Sequence, residues 1–250
     1  MSEIHPAAAG GFSTAADAYE RGRPGYPEEA MAWLAARLRL EEGRDVLDLA
    51  AGTGKLTRAL VPFGARVIAI EPIDEMREQL FRALPDVDAF DGTAESIPLP
   101  DGSVDVVTCG QAFHWFRAEE ALREIHRVLR PGGGLALVWN MRDLSDPLQG
   151  RVHEILKPYG ASVRSYRDFG PKEAIEHSGL YGPVEHRAWP YVQRLSRAHL
   201  VDRIASVSYI AILDPDTRAE VLSQVLEAAE GLPEPISIPY TTEIYIADRL

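Results

Sequence analysis

The chain has 250 residues, 46% of them hydrophobic and 26% charged, with a formal net charge of -12. A chain of this size buries a full core as one large domain or two small ones. The composition excludes a disordered tail or a disulfide-rich mini-domain, and the acidity argues against duplex binding, whose affinity is mostly phosphate neutralisation. The single cysteine, Cys109, has no partner for an intramolecular disulfide, which fits a reducing compartment. The N-terminus lacks a signal-peptide pattern and no apolar run approaches the ~20 residues of a membrane span. A cytoplasmic protein is expected, with neither nucleic acid nor membrane as a partner.

Residues 12–40 read as helical, interrupted at Arg23-Pro24-Gly25-Tyr26-Pro27. Val46–Leu49 is a short apolar strand that ends in Ala50-Ala51-Gly52-Thr53-Gly54, and an amphipathic stretch runs from Lys55 to Pro62. Arg66–Ile70 is a second strand, ending at Glu71-Pro72. Asp74–Leu84 has helical spacing with Asp74 as N-cap. Val87–Phe90 and Val104–Cys109 are the next strands, Ala118–Leu129 is a helix, and Pro131–Gly134 turns the chain into a fifth strand, Leu135–Trp139. Residues 147–180 mix helix and loop, and Val184–Val192 alternates as a strand. Two helices, Ser196–Ile212 and Asp214–Ala229, precede a last strand, Ile236–Ala247.

Strand–helix alternation with nearly continuous Val/Ile/Leu strands marks a parallel sheet covered on both faces. Residues 45–140 therefore form a doubly wound α/β core. Ligands in such sheets sit outside the carboxyl ends of the strands, so the residues just after each strand carry the chemistry.

The small residues of the loop after the first strand let a ligand approach the backbone, and the helix behind it offers free N–H groups. A plain tight turn is the alternative. Gly-x-x-x-x-Gly-Lys-Ser/Thr is not present, which excludes a P-loop reading of this loop. Glu71 ends the second strand roughly 20 residues downstream, where an acidic residue accepts hydrogen bonds from ribose hydroxyls. A dinucleotide site requires a third glycine on the helix, where Leu56 and Thr57 stand. Asp48, at the end of the first strand, repels a pyrophosphate and suits an ammonium or sulfonium. These features favour S-adenosylmethionine over NAD.

The motifs VLDLAAGTGKLT, VIAIEPIDEM, DGTAESIPLPDGSVDVV and LREIHRVLRPGGGLALVWN occur in this order. On them the chain resembles the class I S-adenosylmethionine-dependent methyltransferases. AYERGRPGYP before the core, QAFHWF after the fourth strand and PYTTEIYIADR at the end make it similar to the small-molecule methyltransferases of the trans-aconitate methyltransferase type. The resemblance implies a doubly wound, mostly parallel, seven-stranded sheet with an antiparallel last strand. It also implies a helical lid over residues 1–40 and a methyltransferase domain over 41–250, with a helical cap inserted at about 194–231. The expected activity is methyl transfer from S-adenosylmethionine to a small molecule. An NAD-dependent oxidoreductase and a non-catalytic cofactor-binding protein are the alternatives.

The resemblance also implies roles for residues. Ala50 and Gly52 would carry backbone against the methionine moiety, and Asp48 would act near its amino group, through water. Glu71 would bind the ribose, with Pro72 and Met76 flanking the adenine and Thr93 and Ala94 along its edge. The family often has an acidic residue at Thr93, for which Glu95 would substitute. Gln111 would lie near the transferable methyl, and Arg23 near the cofactor carboxylate as part of a lid with Tyr19 and Tyr26. His114 is either a general base or, with Trp115, packs against the lid or binds substrate without proton transfer, and Tyr19 and Trp115 are candidate substrate contacts. Trp189, Tyr191 and Tyr209 line a substrate pocket or, for Tyr209, plain core. The remaining histidines form no ligand spacing, so no metal is expected. An anionic acceptor would need arginines in the pocket, because the acidic surface gives it no steering.

Overall fold

The computed structural model describes residues 16–160 and 170–250. The start of the expected N-terminal helical segment and part of the mixed 147–180 region lie outside the described residues. In chain order the elements are α1 (16–22), α2 (Glu28–Leu38), β1 (Asp45–Leu49), α3 (Lys55–Leu60), β2 (Arg66–Ile70), α4 (Asp74–Ala83), β3 (Asp88–Phe90) and β4 (Val104–Gly110). Then come α5 (Ala118–Val128), β5 (Leu129–Arg142), α6 (Pro147–Leu156), α7 (Pro171–Ser178) and β6 (Glu185–Leu195). α8 (Arg197–Ala205), α9 (Ser208–Ala211), α10 (Pro215–Ala228) and β7 (Ile236–Asp248) complete the chain.

The seven strands form one sheet in the order β3-β2-β1-β4-β5-β7-β6. Neighbours from β3 to β5 run parallel, and β7 is antiparallel to both β5 and β6. Alternate residues face opposite sides. Leu47, Leu49, Ile68, Ile70 and Val107 pack with Leu122, Ile125 and Val128 of α5 and Ile175 of α7. Val46, Val67, Val106 and Val138 pack on the other side with Leu34 of α2 and Leu56 and Leu60 of α3.

A separate apolar cluster joins α6, α8, α9 and α10 to Leu195, Ile236, Ile238 and Tyr240. Arg142, the last residue of β5, pairs with Tyr240. The inserted helices therefore stand at the end of the sheet where the parallel strands finish, which is also where ligands bind in this topology.

The structure differs from the expected elements in three informative places. β5 begins at Leu129, which pairs with Val104 of β4; pairing resumes at Gly134 with Val106, and the intervening residues are absorbed as a register shift between Val104 and Val106. Asp74 is the first residue of α4 and Ile73 is its cap; the Asp74 charge favours the helix through the N-terminal dipole. The expected helix Ser196–Ile212 breaks after Ala205. There the Ser206 carbonyl accepts from Arg23 Nη2 at 2.8 Å.

Candidate active site

The carboxyl ends of β1, β2, β3 and β4 open onto a cleft of about 840 Å³, counted with its mouth. Pockets of about 300–1,000 Å³ bury a drug-sized ligand. Ala50 and Gly52 line it after β1, Glu71, Pro72, Ile73 and Met76 after β2, and Thr93, Ala94 and Glu95 after β3. Gly110, Gln111, Ala112, Trp115, Phe116 and Arg117 close it after β4, and Tyr19 of α1 lies across the opposite side. β1 is flanked by β2 on one side and β4 on the other, the switch point at which such sheets bind ligands.

Glu71 organises the cleft. It is 4% exposed. Its Oε2 accepts the Gly52 N–H at 2.8 Å and its Oε1 accepts the Ile73 N–H at 2.9 Å. Burial pushes its pKa up to about 7, opposed by those two N–H bonds and by the Arg77 charge. A carboxylate has about four acceptor directions, so capacity remains for two further donors.

Backbone strain is gathered here. Among the described residues only Arg39, Ala50 and Gln111 hold a positive φ without being glycine, and Ala50 (54°) and Gln111 (63°) both line the cleft. Such conformations cost of order 1–3 kcal/mol and persist where the surroundings over-determine them. Gln111 is held by its backbone N–H on the Val138 carbonyl at 2.9 Å, while its Nε2 is buried with no hydrogen-bond partner. A buried unsatisfied amide donor beside a cavity is a group built for a ligand. Gln111→Gly should leave the urea midpoint unchanged or higher, whereas Gln111→Val should lower stability by about 1–2 kcal/mol, the cost of a β-branched residue at positive φ. Equal midpoints for the two variants would refute the strain reading.

Several expected placements are corrected. Asp48 does not line the cleft. It shares the Val46 side of β1, so its carboxylate is fully buried under α3, accepting from Thr57 Oγ1 at 2.6 Å and Thr108 Oγ1 at 3.2 Å. Burial pushes its pKa to about 6, against those hydroxyl bonds. His114 lies in a short 3-10 turn, Phe113–Trp115. Successive side chains there step by about 120°, so Phe113 enters the core and Trp115 reaches the cleft. His114 packs beside Trp115 with ring centroids 5.0 Å apart and is not among the lining residues of the cleft.

Trp189 does not line the cleft either: it packs on Trp33 of α2 at 5.2 Å. Tyr209 belongs to the apolar cluster of the inserted helices. Cys109 is buried, and burial pushes its thiol well above the ordinary value, so it is an inert packing group.

Arg23 lines a second chamber of about 340 Å³, which shares Tyr19 and Gln111 with the main cleft. Its Nε donates to Ser206 Oγ at 3.0 Å and its Nη2 to the Ser206 carbonyl at 2.8 Å. Arg203, Tyr240, Asn140, Lys55 and Tyr26 complete the wall. Sequence reasoning missed Arg203, Tyr240 and Asn140. They come from α8, β7 and β5 and meet only through the fold. Ile73, Ala112, Phe116 and Arg117 in the main cleft were missed as well, although their positions just after strands were a usable signal.

Comparison with known proteins accords with this architecture. Residues 47–137 match the family model described as a methyltransferase domain. An uncharacterized methyltransferase of Mycobacterium tuberculosis is 40% identical over 236 residues, 92% of each chain. An uncharacterized methyltransferase-like protein of Schizosaccharomyces pombe is 34% identical over 244 residues, 95% of each chain. The crystal structure of YcgJ from Bacillus subtilis superposes with a TM-score of 0.59 at 20% identity, covering 89% of this chain and 99% of that one. A phosphoethanolamine N-methyltransferase of Haemonchus contortus, solved with S-adenosylhomocysteine, gives 0.57 at 15% identity over 95% of this chain and 57% of that one.

Proposed function

The chain belongs to the class I S-adenosylmethionine-dependent methyltransferases, and from that premise we propose that the main cleft holds S-adenosylmethionine while a small-molecule acceptor approaches from the side of Gln111. The observation that carries this reading is the convergence of Glu71, the strained Ala50 backbone and the unsatisfied Gln111 amide on one cavity of nucleoside size. S-adenosylmethionine supplies a methyl already activated as a sulfonium, so the protein's task is positioning and exclusion of water.

Glu71 accepts the ribose hydroxyls with the lone pairs that Gly52 and Ile73 leave open. Pro72, Ile73 and Met76 form the apolar wall for the base, and Thr93, Ala94 and Glu95 its polar edge. The Glu95 carboxylate is held on the Arg117 N–H at 2.9 Å, which fixes its direction. Ala50 and Gly52 present backbone to the amino-acid end, and Gln111 directs its amide to the same region. Asp48 acts at one remove: by holding Thr57 and Thr108 it fixes β1, α3 and β4 around the loop.

Within the expected lid of residues 1–40, α1 acts as the lid, and α8–α10 act as a cap. A cytoplasmic location without nucleic-acid partners fits the charge of -12. It also fits the finding that no helix among the described residues is long and apolar enough to cross a membrane.

The test is calorimetric titration with S-adenosylhomocysteine and, separately, NAD, followed by capture of labelled methyl product from a cell extract. Binding of the first nucleoside alone, with a labelled small-molecule product, is expected. NAD binding without S-adenosylhomocysteine binding sinks the reading, and cofactor binding with no product across extracts makes the protein a binder.

A further inference from the structure

We propose that Arg77, which does not line the main cleft, is a positioning residue for the cofactor: it clips the carboxyl ends of β2 and β3 together under the nucleoside and sets its positive charge behind Glu71. This rests on the cofactor reading above, since Glu71 serves as an acceptor only where a ribose donates to it.

Glu71 is held through its backbone as well as its carboxylate. Its N–H donates to the Phe90 carbonyl of β3 at 3.1 Å, and its carboxylate takes the Gly52 and Ile73 N–H groups. Its own carbonyl accepts from Arg77 Nη1 at 2.6 Å. The other partners named here are backbone groups, so Arg77 is the side chain on which the arrangement turns.

The guanidinium reaches further. Nη2 donates to Asp74 at the start of α4, and Nη1 stands 3.9 Å from Asp91, just after β3. Asp91 and Gly92 lead into Thr93, Ala94 and Glu95, the polar edge assigned to the base. One fork therefore spans the strand end that carries the ribose acceptor and the loop that carries the base. A guanidinium holds its donors in fixed directions, which a lysine ammonium does not.

The plain alternative is a surface ion pair on a helix, and the geometry argues against it. The Asp74 and Asp91 side chains are 78% and 76% exposed, where solvent screens the attraction and such pairs contribute little. The Arg77 side chain is 23% exposed, so most of it faces protein. It also stands in the first turn of α4, where the helix dipole disfavours a cation. Asp74 and Glu75 already serve that dipole. α4 gains little from a positive charge there, and the gain lies at Glu71.

The charges around Glu71 give that gain a direction. Asp48 of β1 and Cys109 of β4 face it from buried sides, and Tyr19 of α1 and Glu95 line the same cleft. Burial first raises the Glu71 pKa, and Asp48 adds to the rise. The Ile73 and Gly52 N–H groups and then the Arg77 charge oppose it. An ionised carboxylate offers all its lone pairs to donors, and a nearby cation favours that form.

The full chain and its Arg77→Gln, Arg77→Lys and Arg77→Met variants are titrated calorimetrically with S-adenosylhomocysteine between about pH 6 and 9. Circular dichroism checks folding. In the wild type, affinity strengthens as pH rises, and the midpoint of that rise reports Glu71. Arg77→Gln is expected to move the midpoint upward by at least about 0.5 in pH. It should weaken binding at least about fourfold at pH 7 and by a smaller factor at pH 9. Arg77→Lys keeps the charge without the fork. It should leave the midpoint in place and weaken binding by about two- to fivefold at every pH.

A loss in Arg77→Gln that is the same at every pH makes the residue merely structural and overturns the proposal. An Arg77→Lys protein equal to wild type throughout also overturns it, since the fork is then idle. Should wild-type protein bind no S-adenosylhomocysteine at any pH, the cofactor reading falls, and denaturation midpoints of the nucleoside-free protein decide this one. The stability that Glu71 contributes at low pH should then be lost at a higher pH in Arg77→Gln. That displacement should vanish when Glu71→Gln is added, and its absence or its persistence there overturns the proposal. If Arg77→Gln does not fold, Arg77→Met, of similar helix propensity, carries the same comparison.

Discussion

Glu71→Gln weakens binding of S-adenosylhomocysteine by about 10- to 100-fold, measured calorimetrically at neutral pH, and Glu71→Ala weakens it further. Each hydrogen bond to a charged group is worth about 1.5–3 kcal/mol, and the glutamine keeps volume while losing charge and one acceptor. Glutamine still accepts one backbone N–H, so its fold is retained. Alanine strips partners from both the Gly52 and Ile73 N–H groups and costs stability besides. Unchanged affinity in Glu71→Gln removes Glu71 from the site.

The same carboxyl gives a pH signature with two opposed signs. Burial raises it from an ordinary 4.5 to about 7. Between those values the folded protein holds a proton that the unfolded chain has released. Its contribution to stability is therefore full below about pH 4.5 and is lost as pH rises through 7, a change of about 3 kcal/mol. Asp48, raised to about 6, acts in the same direction.

Cofactor binding runs the other way. The ionised carboxylate is the better acceptor of ribose hydroxyls, so affinity strengthens as pH rises towards and past 7, and this slope is absent in Glu71→Gln. Denaturation midpoints and titrations on one buffer series read both. An affinity that does not change across that series contradicts the assigned role.

The loops after β1, β2, β3 and β4 were legible in the sequence because small residues, a strand-end acid and Thr93-Ala94-Glu95 follow strands whose period is plain. Where the reading failed, the failure was geometric. Asp48 looked like a cleft residue because it ends an apolar run. Strand alternation puts it on the α3 side with Val46, against Thr57. His114 follows a strand, but a 3-10 turn rotates it off the cleft. Trp189 sits on β6 at the sheet edge, where the face it occupies is claimed by α2 through Trp33.

The arginine chamber was invisible for a different reason. Arg23, Arg142, Arg203 and Tyr240 are scattered along the chain, and no local period connects them. Only the return of the inserted helices to the strand ends brings Arg23, Arg203 and Tyr240 to one wall, with Arg142 in the adjoining pocket that Arg203 and Tyr240 also line.

Gly22→Ala is expected to release α1 from the cap and raise the dissociation rate of S-adenosylhomocysteine by at least about tenfold, as for a lid whose opening sets ligand release. A Cβ at Gly22 would stand 2.2 Å from the Arg203 backbone nitrogen and 2.5 Å from its Cα, and backbone cannot rotate aside. The three residues about this contact all bind the far side. Arg21 forms a bidentate pair with Asp202 at 2.7 and 3.0 Å, the Gly22 carbonyl accepts from Gln193, and Arg23 holds Ser206. In an isolated helix alanine is favoured over glycine by about 1 kcal/mol, so a loss reports the close approach of α1 and α8 and not helix propensity. The sheet core lies elsewhere, and its cooperative unfolding should change little. Limited digestion with trypsin supplies the second readout, since unwinding of a released α1 opens the Arg21–Gly22 bond to cleavage. A variant with wild-type trypsin resistance and an unchanged dissociation rate would show that α1 does not gate the cleft, whereas fast release with an intact core ties gating to the same contact that positions Arg203.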